Sequence, residues 1–303
     1  MKIRVLGSAA GGGFPQWNCN CANCTGVRNR QPNLTPRTQS SIAVSNDSQN
    51  WVLINCSPDI LTQIQHNACM QTTSGIRGTA ICGIVLVDSQ IDHATGLILL
   101  RESTKKLSIW CTDAVQHDLT SEFPLFTILS SYCGVERTRI SPDADFQIPG
   151  IENIHFKAID LFGSGPPYSS YRKNPRPGES IGLLITDKST DKKVLYAPAL
   201  PRLDAALLKV MSDADCLLVD GTFWKNDELI QLATSKKTAH DMGHIPLSGP
   251  EGLVETLSHL KHPRKILIHI NNTNPILNES SNERKILQAA QIEVSYDTQE
   301  ISV

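Results

Sequence analysis

The chain carries almost no net charge, −2 over 303 residues, and its Lys and Arg residues form no sustained basic run. Long-range attraction to nucleic acid or to an anionic membrane surface is therefore not a basis for its function. No apolar stretch reaches the roughly 20 residues that a membrane-spanning helix requires, so membrane insertion is not expected. The opening Met1-Lys2-Ile3-Arg4-Val5-Leu6-Gly7 lacks the order of a secretory signal and reads as a strand. These absences point to a cytoplasmic protein whose partners are small molecules or other proteins, and they leave a homodimer open. Nine cysteines is an odd count, and six of them (Cys56, Cys69, Cys82, Cys111, Cys133, Cys216) show no repeated spacing. They read as buried apolar thiols in a reducing compartment.

The length allows one large α/β domain or two small ones. Short β-rich runs are expected as strands at Ile3–Leu6, Ile42–Val44, Trp51–Ile54, Ile81–Val87, Ser108–Cys111, Ile181–Ile185, Lys193–Tyr196, Cys216–Val219 and Lys265–Ile270. Helices fit between them at Pro58–His66 after a Ser57 cap, at Leu203–Ser212, and at Gly249–His262, where Leu253, Leu257 and Leu260 share a face. With no internal repeat, a single layered α/β domain over residues 1–303 is the economical architecture. Phe162–Gly178, with four prolines and two tyrosines, suits a binding loop or lid better than a linker. Gly11-Gly12-Gly13 has neither a Lys-Ser/Thr ending nor a dinucleotide fingerprint, so it reads as a tight turn.

Polar residues gather at the ends of apolar runs. After Ile84-Val85-Leu86-Val87 come Asp88, Gln90, Asp92, His93 and Gly96. An adjacent Asp-His pair supplies oxygen and imidazole donors that suit one borderline divalent ion. The other reading is a helix start, with Asp92 capping backbone amides and His93 exposed. His269 closes Lys265–Ile268 and is followed by Asn271, Asn272, Thr273 and Asn274, a concentration of amides that needs hydrogen-bond partners if buried. Asp220 ends another apolar run, and His240, Asp241 and His244 follow in a short polar stretch. Cys19-x-Cys21-x-x-Cys24 puts three thiols within six residues, enough for most of a tetrahedral zinc site. Three reduced thiols in a loop is the alternative.

Four stretches carry a resemblance that runs over essentially the whole chain: Val5–Cys21, Pro36–Ser41, Asp88–Gly96 and Ile268–Pro275. They resemble the PqqB family of pyrroloquinoline quinone (PQQ) biosynthesis, a branch of the metallo-β-lactamase superfamily. The resemblance implies a four-layer αβ/βα sandwich. It places Asp92, His93 and His269 on the superfamily's second-metal carboxylate, adjacent histidine and strand-end histidine. Where the superfamily's His-x-His pair would stand, this chain has Asp88 and Gln90, and Ala199 in Tyr196–Leu200 takes the place of the metal-bridging aspartate. A hydroxide clamped between two zinc ions then has little to hold it.

What remains is two histidines and one carboxylate around one ion with open positions, the ligand set of non-haem Fe(II) oxygenases. The resemblance thus implies an iron-dependent hydroxylase acting with O₂ on the tyrosine ring of a dipeptide-like, Glu-Tyr-derived PQQ precursor, with zinc as another occupant of the same site. Asp220, His240 and His244 would handle phenol protons or orient the substrate, and Tyr168 and Tyr171 would close over it. A related phosphodiesterase of the phosphonate pathway completes a similar cysteine cluster with a histidine three residues after the strand-end histidine; here that position is Asn272, the candidate fourth ligand of a structural zinc. Two other functions stand beside the hydroxylase: a single-zinc hydrolase, and a non-catalytic carrier that helps move PQQ or a precursor toward the periplasm.

Overall fold

The structure, a computed structural model, describes residues 1–71 and 75–303. It divides into two compact units, each assembled from segments distant in sequence: Met1–Gly7, Ser40–Lys192 and Thr298–Val303 in the first, Ser8–Gln39 and Lys193–Asp297 in the second.

The main sheet of the first unit contains β1 (Lys2–Gly7), β2 (Ser41–Ser45), β3 (Trp51–Ile54), β4 (Ile81–Val85), β5 (Leu107–Cys111) and β6 (Val135–Arg139) in sequence order, with the C-terminal strand Glu300–Ser302 added beside β1. From that added strand to β3 the pairing is antiparallel, and from β3 to β6 it is parallel. Every residue of β3 is buried, the pattern of a central strand covered on both faces. At the opposite edge β6 exposes Glu136, Thr138 and Arg139, charged and polar residues that discourage further pairing. Leu53, Ile60, Ile84, Leu86, Leu97 and Val115 belong to one buried cluster, each contributing about 1.5–3 kcal/mol by leaving water. Three more strands form an antiparallel meander, β7 (Asp145–Gln147), β8 (Ile154–Asp160) and β9 (Ile181–Asp187). In β8, Ile154, Phe156 and Ala158 are buried and alternate with partly exposed neighbours, so one face packs inward.

The second unit holds a parallel sheet of β10 (Lys192–Ala197), β11 (Cys216–Asp220), β12 (Arg264–Ile268) and β13 (Ile292–Val294). β11 is wholly buried and β12 buried after Arg264, which explains their unbroken apolar runs. Flanking helices start where short polar side chains accept backbone amides: Asp204 from Leu207 (2.8 Å) and Ser281 from Arg284 (3.1 Å).

All nine expected strands are present, with shifted ends that have local causes. The run expected to continue to Val87 ends as a strand at Val85, because Val87 gives its carbonyl to the Ile181 N–H instead (2.9 Å). The run expected to reach Ile270 stops at Ile268, because His269 adopts a left-handed backbone, φ +61°. Ser57 does not cap the following helix, which spans Ile60–His66; its hydroxyl accepts the Asp59 N–H (3.2 Å). Of the six scattered cysteines, Cys56, Cys111 and Cys216 are buried as expected, whereas Cys69, Cys82 and Cys133 are partly exposed. Gly12 and Gly13 both have positive φ and form the expected tight turn. Among the described residues no helix is long and apolar enough to cross a membrane.

Candidate metal centres

In the first unit, the segment after β4 is braced by Asn55. This fully buried residue has φ +63°, a conformation Asn tolerates. Its N–H donates to the Val85 carbonyl (2.8 Å) and its Oδ1 accepts the Val87 N–H (3.1 Å). Asp88 then turns the chain, accepting the Gln90 N–H (2.9 Å), and its two oxygens lie 2.8 and 2.9 Å from His93 Nδ1. His93 and Asp92 share a single helical turn, Ile91–Ala94. That turn is seated by main chain: Cys56 N–H donates to the His93 carbonyl (2.7 Å) and Gly96 N–H to the Cys56 carbonyl (3.0 Å). A Cβ at Gly96 would lie 2.1 Å from the Ser57 carbonyl oxygen.

His93 is 1% exposed, so the alternative that left it on the surface fails. Burial alone would lower its pKa, but the carboxylates of Asp88 and Asp92 outweigh burial and hold the imidazole up at about 9. With Nδ1 committed to Asp88, Nε2 is the atom that could hold an ion, and it lies 3.7 Å from Asp92 Oδ2. An ion bonded to both at about 2.1 Å needs them about 3.0–3.4 Å apart, a small closing movement. This carboxylate–imidazole arrangement is the one metal-binding histidines use to fix their tautomer.

In the second unit, β11 and β12 are adjacent and in register, with Asp220 opposite Ile268. Asp220 and His269 therefore emerge side by side at the carboxyl ends of parallel strands, where α/β sheets place their ligands. Asp220 is fully buried, and its oxygens accept Leu200 N–H (2.8 Å), Thr222 N–H (2.9 Å), Thr222 Oγ1–H (2.6 Å) and His244 Nδ1 (2.8 Å). Burial works against ionisation, yet His244 and these donors hold the carboxyl below the usual carboxylate range. Since the Thr222 hydroxyl donates to Asp220, it accepts from His269 Nδ1 (2.9 Å). Asp220 thus fixes the Nδ1–H tautomer of His244 directly and of His269 through Thr222, and the two rings stack with centroids 5.5 Å apart. The left-handed backbone of His269 costs on the order of 1 kcal/mol or more for a residue with a Cβ, strain of the kind found at functional positions.

His240 is not brought to this cluster. It lies exposed on the turn His240–Met242, its N–H donating to Asn226 Oδ1 (3.3 Å), and the left-handed Gly243 (φ +84°) separates it from buried His244. Ala199 presents no carboxylate, and the next residue uses its N–H on Asp220. Tyr168 does reach the Asp88 segment, its hydroxyl donating to the Ser89 carbonyl. Tyr171 instead packs between the Arg176 guanidinium, 3.5 Å from its ring centroid, and His117 at 5.3 Å. The sequence reading missed Asp88 and Thr222 as partners of the imidazoles; a Thr two residues past a strand-end Asp was the one available signal.

Cys19, Cys21 and Cys24 lie on and before the helix Ala22–Arg28, with their sulfurs within 4.8 Å of one another. A tetrahedral ion with bonds of about 2.3 Å spaces its sulfurs about 3.8 Å apart, so the trio fits zinc with modest contraction. The Asn272 amide faces the trio, its Nδ2 donating to Cys19 Sγ (3.1 Å) and Cys24 Sγ (3.4 Å). Burial pushes Cys21 up to about 12, whereas hydrogen bonds from Cys21, Cys24 and Asn272 overcome burial and lower Cys19. Asn23 adds two bonds to the same strand end, to the carbonyls of Asn272 (3.2 Å) and Asn274 (2.9 Å).

Comparison with known proteins identifies the class first. The beta-lactamase superfamily domain matches residues 50–270, and the chain has the metallo-β-lactamase fold, an α/β sandwich of two mixed sheets with helices. A diphosphatase of the PhnP family shares this fold, with TM-score 0.69 at 17% identity over 100% of this chain and 97% of that one. A narrower group then emerges. Coenzyme PQQ synthesis protein B of Methylococcus capsulatus is 50% identical over 302 residues, 99% of each chain, and that of Pseudomonas fluorescens is 50% identical over 304 residues, all of both. The crystal structure of zinc-bound PqqB from Methylobacterium extorquens superposes with TM-score 0.92 at 32% identity, covering all of both chains. The chain belongs to the coenzyme PQQ synthesis protein B family.

Proposed function

We propose that this protein acts in PQQ synthesis as a mononuclear non-haem iron oxygenase that hydroxylates the tyrosine ring of a Glu-Tyr-derived precursor, with Asp92, His93 and His269 as the iron ligands. The observation that carries this reading is the commitment of both imidazoles through Nδ1, His93 to Asp88 and His269 to Thr222. Each ring then turns Nε2 to the ion, His93 after giving up the proton that Asp88 and Asp92 stabilise, and two imidazoles with one carboxylate make the facial set suited to Fe(II). Bound there, iron would supply the activation of O₂. His244, its Nδ1 proton held by ionised Asp220, accepts the phenol proton at Nε2. Zinc at Cys19, Cys21 and Cys24, with the Asn272 amide turned to offer Oδ1 as the fourth donor, serves as a structural site.

Anaerobic loading with Fe(II), admission of O₂ together with a two-electron reductant such as ascorbate, and mass analysis of a Glu-Tyr peptide substrate test the reading, which expects one oxygen atom gained per turnover while the other leaves as water. His269→Ala should lose retained iron and this product together. Ester or peptide cleavage by the zinc-loaded protein would point to a single-zinc hydrolase, and tight PQQ binding without turnover to a carrier.

A further inference from the structure

A buried acid outside both centres ties two functional segments together. Asp118 opens the π-type turn Asp118–Glu122 and is 0% exposed. Its oxygens each accept a seryl hydroxyl: Oδ2 from Ser89 (2.7 Å) and Oδ1 from Ser169 (2.9 Å). Ser89 directly follows Asp88, the residue that holds His93. Ser169 lies on the loop 162–178, which reaches the same segment again through Tyr168: its hydroxyl meets the Ser89 carbonyl and its ring packs 5.6 Å from that of Phe123. A buried carboxyl is unfavourable relative to an apolar side chain of equal size unless its partners are fixed. Here the partners are two hydroxyls from segments about 80 residues apart in sequence, which no local capping role requires.

We propose that Asp118 is a positioning residue that locks Ser89, and through it the Asp88–His93 pair, to the loop 162–178, so that the geometry of the metal-holding turn and the seating of the loop depend on one side chain. The inference rests on the reading of His93 as a metal ligand. Removal of Asp118 releases both segments at once. Asp118→Asn keeps both links, because an amide accepts one hydroxyl and donates to the other oxygen.

Co(II) is the probe. Its visible bands at a histidine–carboxylate site differ from the thiolate charge-transfer bands of Cys19, Cys21 and Cys24, and competition with a chelator gives the affinity. Tryptic cleavage after Arg172 and Lys173 reports the loop. Asp118→Ala should weaken Co(II) binding about tenfold or more, as loss of a supporting partner does, and should speed cleavage, while Asp118→Asn stays near wild type in both. Ser169→Ala should speed cleavage alone and Ser89→Ala weaken Co(II) alone. Wild-type behaviour of folded Asp118→Ala in either measurement overturns the coupling. Should Asp118→Ala not fold, wild-type behaviour of both serine variants overturns it instead. If His93→Ala leaves the histidine–carboxylate bands intact, the metal reading is what fails, and the positioning role is then judged by cleavage, faster in Asp118→Ala and restored in Asp118→Asn.

Discussion

Each unit fixes the tautomer of an imidazole with a buried carboxylate, but by different routes. Asp88 touches His93 directly and nothing stands between charge and ring. Asp220 spreads its oxygens over two backbone amides, a hydroxyl and His244, and its hydrogen-bonded route to His269 runs through Thr222. The direct contact makes His93 a stronger base, held at about 9, and so a stronger electron donor once its proton is displaced. The relay sets orientation through an interposed hydroxyl, where Asp88 bonds its ring directly. One half of the molecule therefore tunes, and the other aligns.

The strongest way to break this contrast is Asp220→Ala, which strands His244 Nδ1 and two amides without an acceptor and leaves the Thr222 hydroxyl only the His269 carbonyl. Urea unfolding should register a loss of about 3–5 kcal/mol, with Asp220→Asn recovering much of it; equal loss in both would deny the alignment role. A smaller effect sharpens the tuning half. Because the folded pKa of His93, about 9, lies above its ordinary 6.5, the protonated ring stabilises the metal-free protein fully below pH 6.5, and that contribution disappears as pH rises through 9. Metal must expel the same proton, so Co(II) affinity should climb about tenfold per pH unit across that window and then level off. In Asp88→Asn the climb should end at lower pH, with final affinity about 10–100-fold weaker. The smallest change is expected from Cys21→Ser, a fall of a few degrees in thermal midpoint with the Co(II) titration at the histidine–carboxylate site unaltered.

The legible parts of the fold were those with dense apolar runs, such as Trp51–Ile54 and Cys216–Asp220, where burial on both faces leaves no ambiguity. Strands β6 and β7 escaped notice because edge strands carry charge and hydroxyls, and their identity depends on a neighbour the sequence does not display. Strand β8 was legible in principle: Ile154, Phe156 and Ala158 alternate with the polar His155 and Lys157, the period of a half-buried strand. At the candidate sites, residue types at strand ends marked Asp92, His93, Asp220 and His269, whereas the partners of those residues were invisible. Asp88 read as the loss of a ligand, and its contact with His93 depends on a turn whose backbone only the fold reveals. His240 and His244 look alike in sequence; the left-handed glycine between them decides which one is buried.

Gly96 carries one further consequence. The peptide there rests directly on the Cys56–Ser57 backbone, with no room for even a methyl group. The Asp92–His93 turn is thus docked by contact of chain on chain, and a saturation library at this codon should return glycine alone, while residues facing outward on the same turn, such as Ile91, accept broad replacement.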